Sequence, residues 1–541
     1  MVWLPFNYNK EWSSWKWDIP EFYNIGADVV DRHAESEKGD NVALYWRNAD
    51  GEGKNYTFLD MKYLTNKFGN ALKEIGLDKN DRFLIRLPNI PEFQISFIGG
   101  VKIGAIPIPS SVMFRAPEIE YRINDSKAVA VVTSSQYIKE VESVIENCPT
   151  LKNIFVVGDT EKYLSYWSLM NSMSPHLKLA KTRSDDIAFF CYTSGTTGPP
   201  KGAVHLHRWV LGNDPSAKYW QALGADDIVA HTGDLSWIFP LGNGFLYVWR
   251  QGISTLIYNG RFQPENWFEL IEKNRVTNLA SVPTCYRLFL TVKNAENRYD
   301  LSSLRHCISA GEPLNPEVVQ EWKRRIGLEI YDGIGMTEVM VYLSNFDGLP
   351  IKFGSCGKPQ PGHECAIVDE NGTQLPPGED GILAIKMGDP GLFQEYWNKP
   401  QETAICHKNE WFLTGDVLYK DDDGYYWFSG RSDDLIMASG YRISPFEVES
   451  AVISHPSVLE AAVVASPDSM RGVNVKAFII LHQGYDPSDD LAKDIQEHTK
   501  RVAAPYKYPR EIEFVESIPK TQSGKIKRKE LREQENRKKG S

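Results

Sequence analysis

The sequence predicts an α/β protein, with a large N-terminal domain of parallel-rich sheets flanked by helices and a small α+β C-terminal domain. Three observations carry this. Short β runs alternate with helical stretches through the middle of the chain, the rhythm of parallel strands with helices on their faces. At 541 residues the chain exceeds the roughly 250–300 that a single core serves. Near residue 434 the pattern changes, and a new helix opens at 445 behind its own cap. The expected division is 1–430, a hinge at 431–434, and 435–541.

In chain order, Thr57 and Asp60 have the spacing of a capping box. Met61, Leu64, Phe68, Leu72 and Ile75 follow at helical spacing until Gly76 ends the helix. Residues 253–259, 276–282, 304–310 and 328–333 read as β runs, with helices over 264–275 and 315–325 between them. Ligands of such a sheet sit beyond the carboxyl ends of its strands. Ser444, Pro445 and Glu447 then supply a cap, a first-turn proline and a capping acid. Strands over 458–467 and 475–482, a helix over 487–500 and a polar tail complete the smaller domain. The basic terminal stretch "KIKRKELREQENRKK" reads as a solvated helix, with a partner-binding patch as the alternative.

The net charge of −11 argues against nucleic acid or an anionic membrane surface as partner. No apolar run reaches the ~18–20 residues of a membrane span, and the N-terminus lacks the basic and apolar segments of a signal peptide. Seven scattered cysteines without a C-x-x-C pair indicate neither a disulfide framework nor a zinc site, and suit a reducing, cytoplasmic setting. A homo-oligomer stays open.

The stretch "YTSGTTGPPKG", Tyr192 to Gly202, directly follows the apolar run "IAFFC". Glycines let backbone N–H groups converge on an anion, while hydroxyls and a lysine add donors and charge. It is not a Walker A loop, because Lys201 is followed by glycine rather than Ser or Thr. Gly, Ser and Thr are also ordinary turn residues.

Further polar loops recur after apolar runs: "SAGEPL" (309–314), "DGIGMTE" (332–338), "TGD" (414–416), "GRSDD" (430–434), "GYR" (440–442) and "KTQSGK" (520–525). In order and spacing, over nearly the whole chain, they resemble the adenylate-forming superfamily of acyl-CoA synthetases, nonribosomal-peptide adenylation domains and beetle luciferases. "GYRISPFEVESAV", "RGVNVKAFIIL" and "PKTQSGKIKRKELRE" look most like medium-chain acyl-CoA synthetases. "SAGEPL", "DGIGMTE" and "GKPQPG" look equally like benzoate-CoA ligases.

The resemblance implies a small-molecule carboxylate, ATP, Mg²⁺ and coenzyme A. The carboxylate attacks the α-phosphate to give acyl-AMP and pyrophosphate, and the thiol of coenzyme A then displaces AMP. Thr193, Ser194, Gly195, Thr196, Thr197, Gly198 and Lys201 would cradle the departing phosphates. Thr337 would reach the α-phosphate and Glu338 would ligate Mg²⁺. Gly311, Glu312 and Pro313 would line adenine within a site that includes Asp332, Gly333, Ile334, Gly335 and Met336, Asp332 accepting from the exocyclic amine. Asp416 would accept from the ribose hydroxyls, with Arg431 assisting. Ile334 departs from relatives that carry an aromatic residue there. Lys525 would bridge carboxylate and α-phosphate in the first step. The second domain would then swing about Asp433, bringing Gly440, Tyr441 and Arg442 to coenzyme A. Acetate-specific relatives place tryptophan where Gly335 stands, so room for a larger acid is expected, with His231 and Trp237 on the pocket wall. A medium-chain, branched, hydroxylated or aromatic monocarboxylate follows; a carrier-loading enzyme and a phosphate-hydrolysing nucleotide-binding protein are the alternatives.

Overall fold

The computed structural model describes residues 7–193, 199–431, 434, 436–438, 441–468, 472–503, 507–521 and 525–539. The helix Phe58–Glu74 forms as its sequence dictates: Thr57 accepts from the Asp60 N–H, Asp60 answers the Thr57 N–H, and Gly76 turns the chain at φ +84°. Prolines at the first turn open the helices Pro264–Asn274, Pro316–Ile326 and Pro445–Ile453.

Pro264–Asn274 and Pro316–Ile326 alternate with the strands of the largest sheet. Its parallel part runs, in spatial order, Ile330–Ile334, His306–Ala310, Asn278–Ser281, Ile228–His231, Ser254–Asn259 and Val42–Asn48. Beyond Ile330–Ile334 the sheet continues antiparallel through Leu343–Ser344, Ser355–Pro359, Tyr426–Arg431 and Trp411–Lys420. The strand that carries Asp332 is thereby joined through that sheet to the strands that carry Asp416 and Arg431.

A second parallel sheet, Ile106–Pro109, Arg82–Ile85, Ala130–Ser134, Asn153–Val157 and Leu164–Ser165, lies in a region where the sequence reading assigned no element. Between the two lies the antiparallel pair Ile187–Thr193 and Lys201–Leu206, with Glu395–Tyr396 on its edge. One apolar cluster spans these layers, from Phe83 and Phe97 through Phe189 and Trp209 to Phe239 and Val341.

The C-terminal part has its own core, Ile436, Val448, Val463, Ala477 and Ile495 among others. Val458–Asp468 pairs antiparallel with Gly472–Leu481, which runs parallel to Glu511–Phe514. The terminal helix corrects the expectation of a solvated tail. Over Arg528–Lys539 it buries Leu531 and Glu535, because Lys476 donates to Glu535 at 2.7 Å and Ser466 donates to the same carboxylate at 3.0 Å. Among the described residues, no helix is long and apolar enough to cross a membrane.

Candidate functional site

The polar groups gather at the carboxyl ends of the parallel strands. His306–Ala310 leads into Gly311, held at φ +96°, a conformation glycine adopts without a Cβ penalty. The Glu312 carboxylate accepts from Thr284 Oγ1 at 2.9 Å and pairs with Arg287 at 3.3 Å. Pro313 follows it on the same loop.

Strand Ile330–Ile334 carries Asp332, whose Oδ1 is buried without a hydrogen-bond partner. Burial pushes this carboxyl well above its ordinary pKa. An orphaned buried acceptor is costly unless a ligand donor meets it. Gly333 packs where a Cβ would strike Trp220 and Val341. At Gly335 the backbone of a neighbouring segment passes close by. A Cβ there would lie 2.8 Å from the carbonyl group of Met340 and from Val341 N, so the chain's own backbone fills the space. Met336 donates its N–H to Val339 O at 2.9 Å, closing the turn that carries the half-buried Thr337.

Glu338 is buried, and the Tyr396 hydroxyl donates to its Oε1. Desolvation raises the Glu338 pKa, opposed by that phenol and by the charges of Arg431 and Lys201. A cation beside such a carboxylate is therefore favoured. Among the described residues no group of three or more His, Cys, Asp or Glu is arranged to hold a metal. A lone carboxylate suits Mg²⁺, which keeps waters and substrate phosphates as its other ligands. Lys201 opens its strand in register with Thr193 and sets its ammonium over the Tyr396 ring, 4.8 Å from the centroid.

Asp416 and Arg431 face each other across adjacent strands and bond at 2.9 Å. Thr414 Oγ1 accepts from the Asp416 N–H at 3.1 Å. From the other end of the chain, Lys525 reaches this cluster. Its backbone exchanges bonds with Thr521. Its side chain is open to water within the cleft, yet desolvation by the surrounding walls lowers its pKa. Asp416 and Arg431 are the charges it feels most, followed by Glu312 and Glu338. Residues some 100–200 positions apart thus share one electrostatic site.

His231 ends its strand buried and edge-on to Phe239, 4.4 Å between centroids. Its Nδ1 accepts from Gly233 N at 2.9 Å, Nε2 is unpartnered, and burial holds its pKa down at about 3. Half-buried Trp237 meets Phe114 at 6.1 Å. Ser194, Gly195, Thr196, Thr197, Gly198, Asp433 and Gly440 lie outside the described residues, as do the side chains of Tyr441 and Arg442. Sequence reasoning missed Tyr396, Thr414, Thr284 and Arg287. "EYWNKP" lacks the glycine-rich signature that marked the other loops, so only the strand pairing of Tyr396 with Ala203 brings its phenol to Glu338.

The profile of the AMP-binding enzyme family matches residues 30–397, and that of the AMP-binding enzyme C-terminal domain matches residues 447–525. The chain is 40% identical over 543 residues to acyl-coenzyme A synthetase ACSM3, mitochondrial, of Mus musculus, covering 98% of this chain and 93% of that protein. It is 39% identical over 519 residues to the uncharacterized acyl-CoA ligase YtcI of Bacillus subtilis (strain 168), covering 95% and 97%. Among solved structures, the anthranilate CoA ligase AuaEII in complex with anthranoyl-AMP superposes with a TM-score of 0.91 at 34% identity, covering 97% of this chain and 99% of that one. A benzoate CoA ligase from Burkholderia xenovorans LB400 superposes with a TM-score of 0.85 at 30% identity, covering 94% and 100%.

Proposed function

The chain belongs to the AMP-binding enzyme family and is an AMP-forming acid–thiol ligase that makes acyl-CoA through acyl-AMP, and from that premise we propose which residues do the work and on which acid. The convergence of Asp332, Glu338, Asp416 and the distant Lys525 on one cleft is the observation that supports the assignment.

In the first step a carboxylate oxygen bonds to the α-phosphorus of ATP, and the bond from that phosphorus to the β-bridging oxygen breaks, releasing pyrophosphate. The orphaned Asp332 oxygen accepts from the adenine amine. Asp416 accepts from ribose hydroxyls, with Arg431 fixing its orientation. Lys201, Thr193 and the segment Ser194 to Gly198 hold the departing phosphates, and Thr337 donates to the α-phosphate. Glu338 would hold Mg²⁺, which when bound neutralises phosphate charge. Lys525 sets its ammonium between the attacking carboxylate and the α-phosphate, where negative charge concentrates in the transition state.

In the second step the thiol sulfur bonds to the acyl carbon, AMP leaves and the thiol proton is released. Residues 435–541 rotate at 431–434 about Asp433, withdrawing Lys525 and presenting Gly440, Tyr441 and Arg442 to coenzyme A. The alternation resolves a conflict, since one arrangement cannot favour both pyrophosphate departure and thiol entry.

The acid is a medium-chain, branched, hydroxylated or aromatic monocarboxylate. Trp237, Phe114 and the neutral His231 offer an uncharged wall, and Arg122 is engaged by the Phe114 face at 3.8 Å and by Glu118 O. Seven free cysteines suit the cytoplasm. Incubating the enzyme with ATP, coenzyme A and C2–C10, branched, hydroxy and aromatic acids tests the reading. AMP and pyrophosphate are expected; ADP and orthophosphate would overturn it.

A further inference from the structure

Among the described residues the Lys201 ammonium meets only the Tyr396 ring, so its aim depends on the backbone that carries it and on the residues to either side. Tyr121 and Asp125 stand four apart on the helix Ala116–Ser126 and so share a face. The Tyr121 hydroxyl donates to Pro200 O at 2.8 Å, one residue before Lys201. One residue after it, Gly202 lies under the ring of its strand partner Tyr192, where a Cβ would come within 3.1 Å of the ring. The Tyr192 hydroxyl donates to Asp125 Oδ2 at 2.7 Å. From the opposite side Trp397 donates its backbone N–H to Gly202 O at 2.8 Å and its indole N–H to Asp125 O at 3.1 Å. The Lys399 ammonium lies 3.8 Å from Asp125 Oδ1. Asp125 is only 13% exposed and is where helix, strand and the Trp397–Lys399 segment meet.

We propose that Asp125 is a positioning residue for adenylation: its carboxylate holds the Tyr192 hydroxyl and stands 3.5 Å from the Tyr121 hydroxyl, while its backbone carbonyl holds Trp397, and together these fix the backbone on both sides of Lys201, aiming that ammonium across Tyr396 at the phosphates of ATP. The proposal rests on the reading that Lys201 binds ATP. A carboxylate is the right group for the task, since it accepts from a phenol and attracts Lys399 at once. Neither contact touches substrate, so the effect on chemistry passes through Lys201.

A double-mutant cycle on the full-length enzyme tests this. Asp125→Asn, Lys201→Ala and the double variant are compared in acid-dependent ATP–pyrophosphate exchange and in thioester formation from supplied butyryl- and benzoyl-adenylate. Asp125→Asn should raise the ATP KM about tenfold, the order expected when one charge-assisted hydrogen bond is lost. Thioester formation should stay within about twofold, and the change should add nothing on the Lys201→Ala background. An undiminished effect on that background, or equal loss in both half-reactions, overturns the proposal. If Asp125→Asn does not fold, Tyr121→Phe removes only the hydroxyl that holds Pro200; an unchanged ATP KM there overturns it as well. Wild-type exchange with an unchanged ATP KM in Lys201→Ala would instead remove Lys201 from the phosphate site, and wild-type enzyme without exchange would sink the functional reading itself.

Discussion

Two regions of this molecule bury charge, and they do so in opposite ways. Inside the C-terminal part, Glu449 accepts from Val463 N at 2.8 Å and from Nε and Nη2 of Arg528 at 3.2 and 2.7 Å, while Arg528 and Arg532 also reach Asp434. Lys476 bridges Glu513 and Glu535 at 2.7 Å each. In the cleft, Asp332 Oδ1 has no partner, Glu338 rests one oxygen on a phenol, and the Lys525 side chain stands open to water. Saturated pairs make a scaffold. Groups left short of partners have interactions in reserve for a ligand, at the expense of the unliganded fold.

The largest expected effect breaks the saturated region. Glu449→Ala leaves Arg528 buried without its main counter-charge and should cost about 3–5 kcal/mol of stability, read by denaturant unfolding of the whole chain. A loss no greater than that of a surface substitution would erase the contrast.

Next, Lys525→Ala should lower acid-dependent pyrophosphate exchange by ~10²–10³ while sparing thioester formation from supplied acyl-adenylate. Its pH dependence sharpens the point. The charged form is the active one and desolvation lowers the pKa, so the alkaline limb of kcat/KM for adenylation should fall below the ordinary lysine value of 10.5. Lys525→Arg should move that limb upward, and an unmoved limb would assign it to another group.

Asp332→Asn should raise the ATP KM about tenfold, roughly one hydrogen bond, without lowering the melting temperature, because a neutral amide replaces a carboxyl whose charged form burial disfavours. A cooler melting transition would show that Asp332 is already satisfied in the unliganded protein.

The smallest effect concerns the neutral interior beside the cleft. His205, His207 and His231 are held down at about 3 by burial. Unfolded chains bind these protons first, so stability falls as pH drops from about 6.5 toward 3, by roughly 1 kcal/mol per histidine at pH 6. His231→Gln should flatten that slope by one histidine's share.

The local elements were legible where their causes are local. Thr57, Gly76, Ser444 and the first-turn prolines each act within a few residues, and each stands where the sequence puts it. The strands at 253–259 and 304–310 were legible from apolar runs alone, although ends shifted by one or two residues. The second parallel sheet was not. Its strands Arg82–Ile85 and Ile106–Pro109 are only four residues long, too short to display a period. Within the site, motif order pointed to Lys525 and Asp416 together. It did not disclose that Glu312 turns to Arg287, or that Gly335 is glycine because Met340 crosses behind it.

The sequence by itself determined the alternation of strand and helix, the caps, and the polar loops with their chemistry, because those depend on neighbours along the chain. Tertiary structure alone decided which buried charges are answered and which are left facing the cleft. That depends on distance through space: Tyr396 meets Glu338, Asp125 meets Tyr192 and Glu535 meets Lys476 across 58, 67 and 59 positions, and no local pattern carries those meetings.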